Sequence, residues 1–187
     1  MKTASLLPAM LLLSGASVAR AATPFPGIAG DKTLVVWAAP SNATQRGGSA
    51  LTLEDRRSHF DGIVFGEVAP ARWMAGSDFY RRTRQAQDDV PQESEFGGAL
   101  VQIAIVYRGK QVEIFRNGTS LARYPVEGAQ QFGSDSAVVI GLRHLEAQDG
   151  ACLAGSIDDA RIYGTALTAA QIAALRPNQP SDPAPLA

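Results

Sequence analysis

Two carboxylates on alternate residues of one strand share a face, the spacing that can set an acid and a nucleophile across a glycosidic bond at about 5 Å. Glu93 and Glu95 have that spacing. They sit between Pro91 and Gly97-Gly98 in a polar stretch, which makes them solvated loop charges rather than a catalytic pair. His59 and His144 are the two histidines of the chain. No Ser stands in a G-x-S-x-G elbow, and there is no H-E-x-x-H, C-x-x-C or P-loop, so hydrolytic or nucleotide chemistry of those kinds has little to work with. The chemistry the residues do suggest is recognition. Gly76 to Gly98 is long and polar, with Phe79-Tyr80 followed by Arg81, Arg82 and Arg84, then Asp88, Asp89, Glu93 and Glu95. Such a segment inside a compact domain is usually functional or disordered. In its functional form, Trp73 or Tyr80 gives the stacking surface for a sugar ring while Arg82 and Asp78 bond hydroxyls. The alternative puts Trp73 in the core and lets the loop charges screen one another; 7% aromatic residues leave few to spare from a core.

These residues need a scaffold, and composition bounds it. Seventeen Lys and Arg against 18 Asp and Glu provide no clustered positive charge for a phosphate backbone, which argues against nucleic acid as a partner. With 18 Gly and 11 Pro in 187 residues the chain favours turns over long helices. Met1-Lys2, the apolar run Leu6 to Leu13 and Ala19-Arg20-Ala21 have the three parts of a secretory signal peptide, cleaved after Ala21. The run is too short to span a bilayer, which takes about 20 apolar residues, so no membrane association is expected after cleavage. Cys152 is alone, can form no intrachain disulfide, and reads as a small buried hydrophobe. Residues 177–187, with four prolines, read as an extended linker or tail after a domain spanning 22–176.

Between these ends lie short β runs bounded by turn residues: Leu34 to Ala39, Ala50 to Leu53, Ile63 to Phe65, Leu100 to Tyr107, Val138 to Leu142 and Gly155 to Tyr163. Leu100 to Tyr107 is apolar on nearly both faces, as in a central strand covered on each side. Asn117-Gly118 supplies the two positive-φ residues of a type I′ hairpin turn, which pairs Arg116 with Thr119 and Ile114 with Leu121. Thr168 and Gln171 form a capping box that opens a short helix running to Leu175.

The order of these last elements, with G-x-I-D-D-x-R-I-Y over Gly155 to Tyr163, then Ala166-Leu167-Thr168 and Ile172 to Leu175, resembles the second half of a laminin-G-like, concanavalin A-like jelly-roll domain. The resemblance covers residues 100–176. It implies an all-β, two-sheet antiparallel sandwich with a short C-terminal helix. It also implies a non-catalytic module that binds neutral polysaccharide or oligosaccharide, or docks onto a glycoside hydrolase catalytic domain in a secreted polysaccharide-degrading system. The Pro-rich exit is similar to that of modules preceding a family 32, fructan-cleaving domain, so a second expectation is a front fragment of such an enzyme with catalysis beyond residue 187. An extracellular protein-binding or adhesion module is a third. In such sandwiches the Asp three residues before Arg in the last strand commonly faces Ca²⁺; here that is Asp158, with Asp31 a second ligand if the termini meet. The alternative has Asp158 capping a bulge or pairing with an Arg.

Overall fold

Side-chain alternation along the strands separates two faces, and burial of both faces on some strands decides which layers form. The computed structural model describes residues 25–146 and 151–187, so the leader segment lies outside the described residues. Nine strands follow in order: β1 (Lys32–Pro40), β2 (Gly48–Glu54), β3 (Phe60–Phe65), β4 (Trp73–Ser77), β5 (Val101–Arg108), β6 (Gln111–Arg116), β7 (Thr119–Pro125), β8 (Ala137–Ile140) and β9 (Gly155–Tyr163). One helix, α1 (Ala169–Ala174), comes after them. They make a five-stranded sheet ordered β7-β6-β5-β1-β9 and a four-stranded sheet ordered β4-β3-β2-β8, all pairs antiparallel.

The inward residues of both sheets interdigitate: Leu34, Val36, Ile103 and Ile105 from one, Leu51, Leu53, Ile63, Phe65 and Trp73 from the other, each at most 2% exposed. The outer face of the five-stranded sheet is apolar too. There Val35, Trp37, Ala104, Val106 and Phe115 pack with Leu167, Ile172 and Leu175 around α1. The helix is fixed by the expected capping box: Gln171 N donates to Thr168 Oγ1 at 3.2 Å and Thr168 N to Gln171 Oε1 at 2.9 Å. Fully burying each aliphatic side chain here contributes about 1.5–3 kcal/mol.

Three local details depart from the sequence reading. The hairpin pairs Arg116 with Thr119 as expected, but the register shifts between Ile114 and Phe115, so Ile114 faces Ala122 rather than Leu121. Leu121 is the extra residue of a bulge, and the shift turns Ala122 inward beside Ile114. Cys152 is exposed. Its neighbours Ala151 and Leu153 are buried, and with β-bridges from Cys152 to Ser49 and Leu142 the period of two turns the thiol outward. The Pro-rich tail stays with the sandwich. Leu186 N donates to the Ile162 carbonyl and Ile162 N to that of Ala187, both at 2.7 Å, and Asn178 N reaches Asp159 Oδ2 at 2.7 Å. The tail runs beside β9 because β9 is an edge strand with backbone groups still to satisfy.

Candidate functional site

The antiparallel register brings the end of β2, the start of β3 and the end of β4 to one end of the four-stranded sheet, with Glu54 opposite Phe60 and Asp61 opposite Ser77. Of these, Asp61 points inward as a charge. Asp61 lies between Lys32, 3.0 Å from its Oδ2, and Arg82, whose Nε is 2.6 Å from Oδ1. Arg82 Nη2 also donates to Asp78 Oδ1 at 2.5 Å and to the Phe60 carbonyl at 3.1 Å. All four charged side chains are at most 5% exposed. Two cations and two anions cancel, the condition under which buried charge is tolerable. Burial opposes the Arg82 charge, yet the Asp61 and Asp78 carboxylates outweigh it and hold the guanidinium above its usual range. For Lys32 burial wins over Asp61 and lowers the ammonium from its ordinary value.

This cluster grips both ends of a strained turn. Phe79 and Tyr80, between Asp78 and Arg82, take φ of 48° and 56°, a region costly for bulky side chains. Arg82 N donates to Ser77 Oγ at 2.8 Å, and Tyr124 OH donates to the Arg82 carbonyl at 3.0 Å, closing the grip. The turn pushes Phe79 outward to 86% exposure and Tyr80 to 43%. The Arg81 guanidinium lies 5.7 Å from the Phe79 ring centre. Tyr80 OH donates to Glu67 Oε1 at 2.9 Å, and the same oxygen pairs with Arg143 Nη2 at 2.6 Å. The bond to Glu67, with burial second, raises the Tyr80 phenol above its ordinary value. Arg143 continues over the Phe60 ring, against which His144 stacks edge-on at 4.7 Å, and His144 Nδ1 meets Glu54 Oε1 at 3.2 Å. The result is an aromatic shelf with a hydrogen-bonding rim, suited to a ring that is apolar on its face and polar at its edge.

Of the four residues the sequence offers to a sugar, Trp73, Asp78, Tyr80 and Arg82, Tyr80 alone stands on this shelf. Trp73 is 2% exposed, packed on Phe65 at 4.7 Å, with Nε1 donating to Glu93 Oε2 at 2.9 Å. Asp78 and Arg82 are 4% exposed and hold each other, so they shape the turn and offer no hydroxyl-bonding atoms outside. Glu93 corrects the loop reading. It is 5% exposed, bonds the indole, and takes two hydrogen bonds from Arg116 at 2.7 and 3.0 Å, because a buried indole N–H needs an acceptor. Burial alone would raise its carboxyl, but Arg116, the Glu95 N–H and Trp73 together hold it below the usual carboxylate range. Glu95 remains exposed, so the two do not act together. Phe79, Glu67 and Arg143 were not singled out as partners in the sequence; Glu67 and Arg143 meet Tyr80 only through the fold, with no local signal.

The calcium pair is not assembled. Asp31 accepts from Gly109 N at 2.7 Å and Asp158 from Asn178 Nδ2 at 3.0 Å. Asp31 precedes the Thr33–Tyr163 pairing, whereas Asp158 falls in the bulge opposite Trp37 and Ala38, on the order of 20 Å further along at strand rise. The two therefore do not fit a shared ion. Among the described residues no group of three or more His, Cys, Asp or Glu is placed to hold a metal.

The two antiparallel sheets define a jelly-roll sandwich, with the aromatic turn exposed at one end of the four-stranded sheet. The model of the concanavalin A-like lectin/glucanases superfamily matches residues 14–173, and the chain belongs to that superfamily. No curated protein matches it by sequence. Among solved structures it is similar to a heptameric SAP-like pentraxin from Limulus polyphemus (15% identity, 80% of this chain and 70% of that chain, TM-score 0.60). It is similar also to domain 4 of an extracellular GH43 arabinanase from Geobacillus stearothermophilus in complex with arabinotriose (15% identity, 79% and 68%, TM-score 0.57). A third is the CBM40 of a Ruminococcus gnavus sialidase bound to α2,3-sialyllactose (16% identity, 79% and 83%, TM-score 0.53).

Proposed function

We propose that this chain is an exported carbohydrate-binding module that holds neutral oligosaccharide or polysaccharide on the Phe79–Tyr80 shelf, as part of a polysaccharide-degrading system that includes a glycoside hydrolase catalytic domain. The observation that carries it is the strained turn: two large aromatics held outward at 86% and 43% exposure by a buried clamp that offsets the strain. A turn that served packing alone would bury those rings. Ligand complexes of two neighbours, with arabinotriose and with sialyllactose, support sugar recognition on this fold. The charge balance supports a neutral ligand, since Glu67 and Arg143 already pair at the rim. The leader read at residues 1–21 supports an extracellular setting, and no helix of the described residues is long and apolar enough to cross a membrane.

A polysaccharide pull-down and glycan array tests it, comparing the wild type with Phe79→Ala and Tyr80→Ala. Retention by the wild type on at least one neutral glycan, weakened by about 1–3 kcal/mol in each variant at unchanged Tm, is expected. No retention of fructan, plant or algal polysaccharide would replace sugar binding with docking onto a catalytic neighbour.

A further inference from the structure

A cavity of about 430 Å³ opens at the same end of the four-stranded sheet, on the far side of β3 from the shelf, lined by Glu54, Asp55, Arg56, Ser58, His144 and Leu145. Both histidines of the chain stand at or beside it, each already paired: His59 Nδ1 with Asp55 Oδ2 at 2.8 Å, and His144 with Glu54. Asp55 Oδ1 also accepts from the backbone N–H groups of Arg57 and His59, which fixes the wall. The walls carry the carboxylates of Glu54, Asp55 and Glu146 against the guanidinium of Arg56, so the cavity presents an acceptor-rich lining that disfavours anions. That lining can accept hydrogen bonds from a neutral, hydroxyl-rich ligand and suits it better than an anionic one.

Shelf and cavity are joined. Tyr80, Glu67, Arg143, the Phe60 ring, His144 and Glu54 form one unbroken series of contacts from β4 across β3 to β2. Two strand spacings separate the ends, about 10 Å. Midway stand Glu67 Oε2 and Arg143 Nε, buried polar atoms without a hydrogen-bond partner among the described residues. Such groups are rare in a finished structure, and a shift of the partly exposed Arg143 side chain would open them to a hydroxyl or bridging water along the seam.

We infer that the cavity is a second sugar subsite, so that the module recognises an extended internal stretch of a neutral glycan chain, with one unit on the Phe79–Tyr80 shelf and another against Asp55, Ser58 and His144. The span is too long for one ring and suits a short chain. The inference rests on the sugar-binding reading and adds the length and register of the ligand. The test is titration calorimetry of the full chain with arabino-, fructo- and cello-oligosaccharides of two to six units. Leu145→Arg blocks the cavity through a side chain that is 52% exposed, where only the backbone N of residue 145 is bonded to Glu54; Arg56→Ala is the second variant, and unchanged Tm verifies folding. Wild-type affinity for at least one series should climb about tenfold between two and four units. That gain should vanish in Leu145→Arg and shrink in Arg56→Ala. Binding that needs Tyr80 but ignores chain length, or a length gain that survives both cavity variants, overturns the second subsite and leaves sugar binding standing. Binding of none of these oligomers by the wild type overturns both.

Discussion

Replacing Arg82 with Met tests whether the buried charges build the shelf. The change keeps most of the side-chain volume and removes the donors to Asp61, Asp78 and the Phe60 carbonyl. The buried cluster then passes from balanced to one net negative charge, with Lys32 the one buried cation left against two carboxylates and the exposed Arg81 3.7 Å from Asp78 Oδ2. Removing one member of a buried ion pair costs about 3–5 kcal/mol, because the partner stays buried and uncompensated. For a domain of this size that corresponds to a drop in Tm of roughly 10 °C. The loss should also be local. Two residues in the left-handed region store on the order of 1–3 kcal/mol each, and Arg82 is the anchor on their C-terminal side. Freed of it, the turn should relax, and the amides of Arg81 and Thr83, bonded to the Asp78 and Tyr80 carbonyls at 3.1 Å, should exchange faster than those of β5. Urea denaturation gives the global figure and amide hydrogen exchange the local one. A loss below about 1 kcal/mol with unchanged exchange at residues 81 and 83 would refute the clamp, since a buried arginine with three side-chain bonds cannot be silent if it holds the turn.

Two further outcomes follow from the same geometry. Glu93 has a folded-state pKa below the 4.5 of a free glutamate, so its stabilisation is fully present above that pH and is lost as pH falls through the folded value; the acid limb of Tm against pH should be steeper for wild type than for Glu93→Gln, and equal slopes would contradict the Trp73–Glu93–Arg116 linkage. Ile172→Ala should cost about 2–5 kcal/mol, because Ile172 is fully buried under α1 against the outer face of the five-stranded sheet; a two-state urea titration showing less than about 1 kcal/mol would mean the helix adds little.

The scaffold was readable where local chemistry decides it. Asn117-Gly118 dictates a hairpin, the Thr168–Gln171 box dictates a helix start, and the doubly apolar β5 dictates a strand covered on both sides. What stayed hidden depends on pairing between distant segments. Nothing near Glu93 announces that Trp73 and Arg116 will close around it, 20 and 23 residues away in the chain. The Tyr80–Glu67–Arg143 contact joins three loops that the sandwich alone makes neighbours. Leu121 was misplaced because a bulge shifts register by one residue without leaving a compositional mark. The aromatic pair was noticed, but which of Trp73 and Tyr80 would be outside depends on strand phase, and β4 turns Trp73 inward against Phe65.

The outward thiol of Cys152 has a practical consequence. It is a unique attachment point, held by backbone bridges to Ser49 and Leu142. Ser49 lies near the opposite end of β2 from Glu54, roughly 15 Å along the strand from the cavity wall. A maleimide dye or surface tether placed there would orient every molecule alike and leave the shelf facing solution, so single-molecule and immobilised-protein binding measurements become possible without engineering a handle.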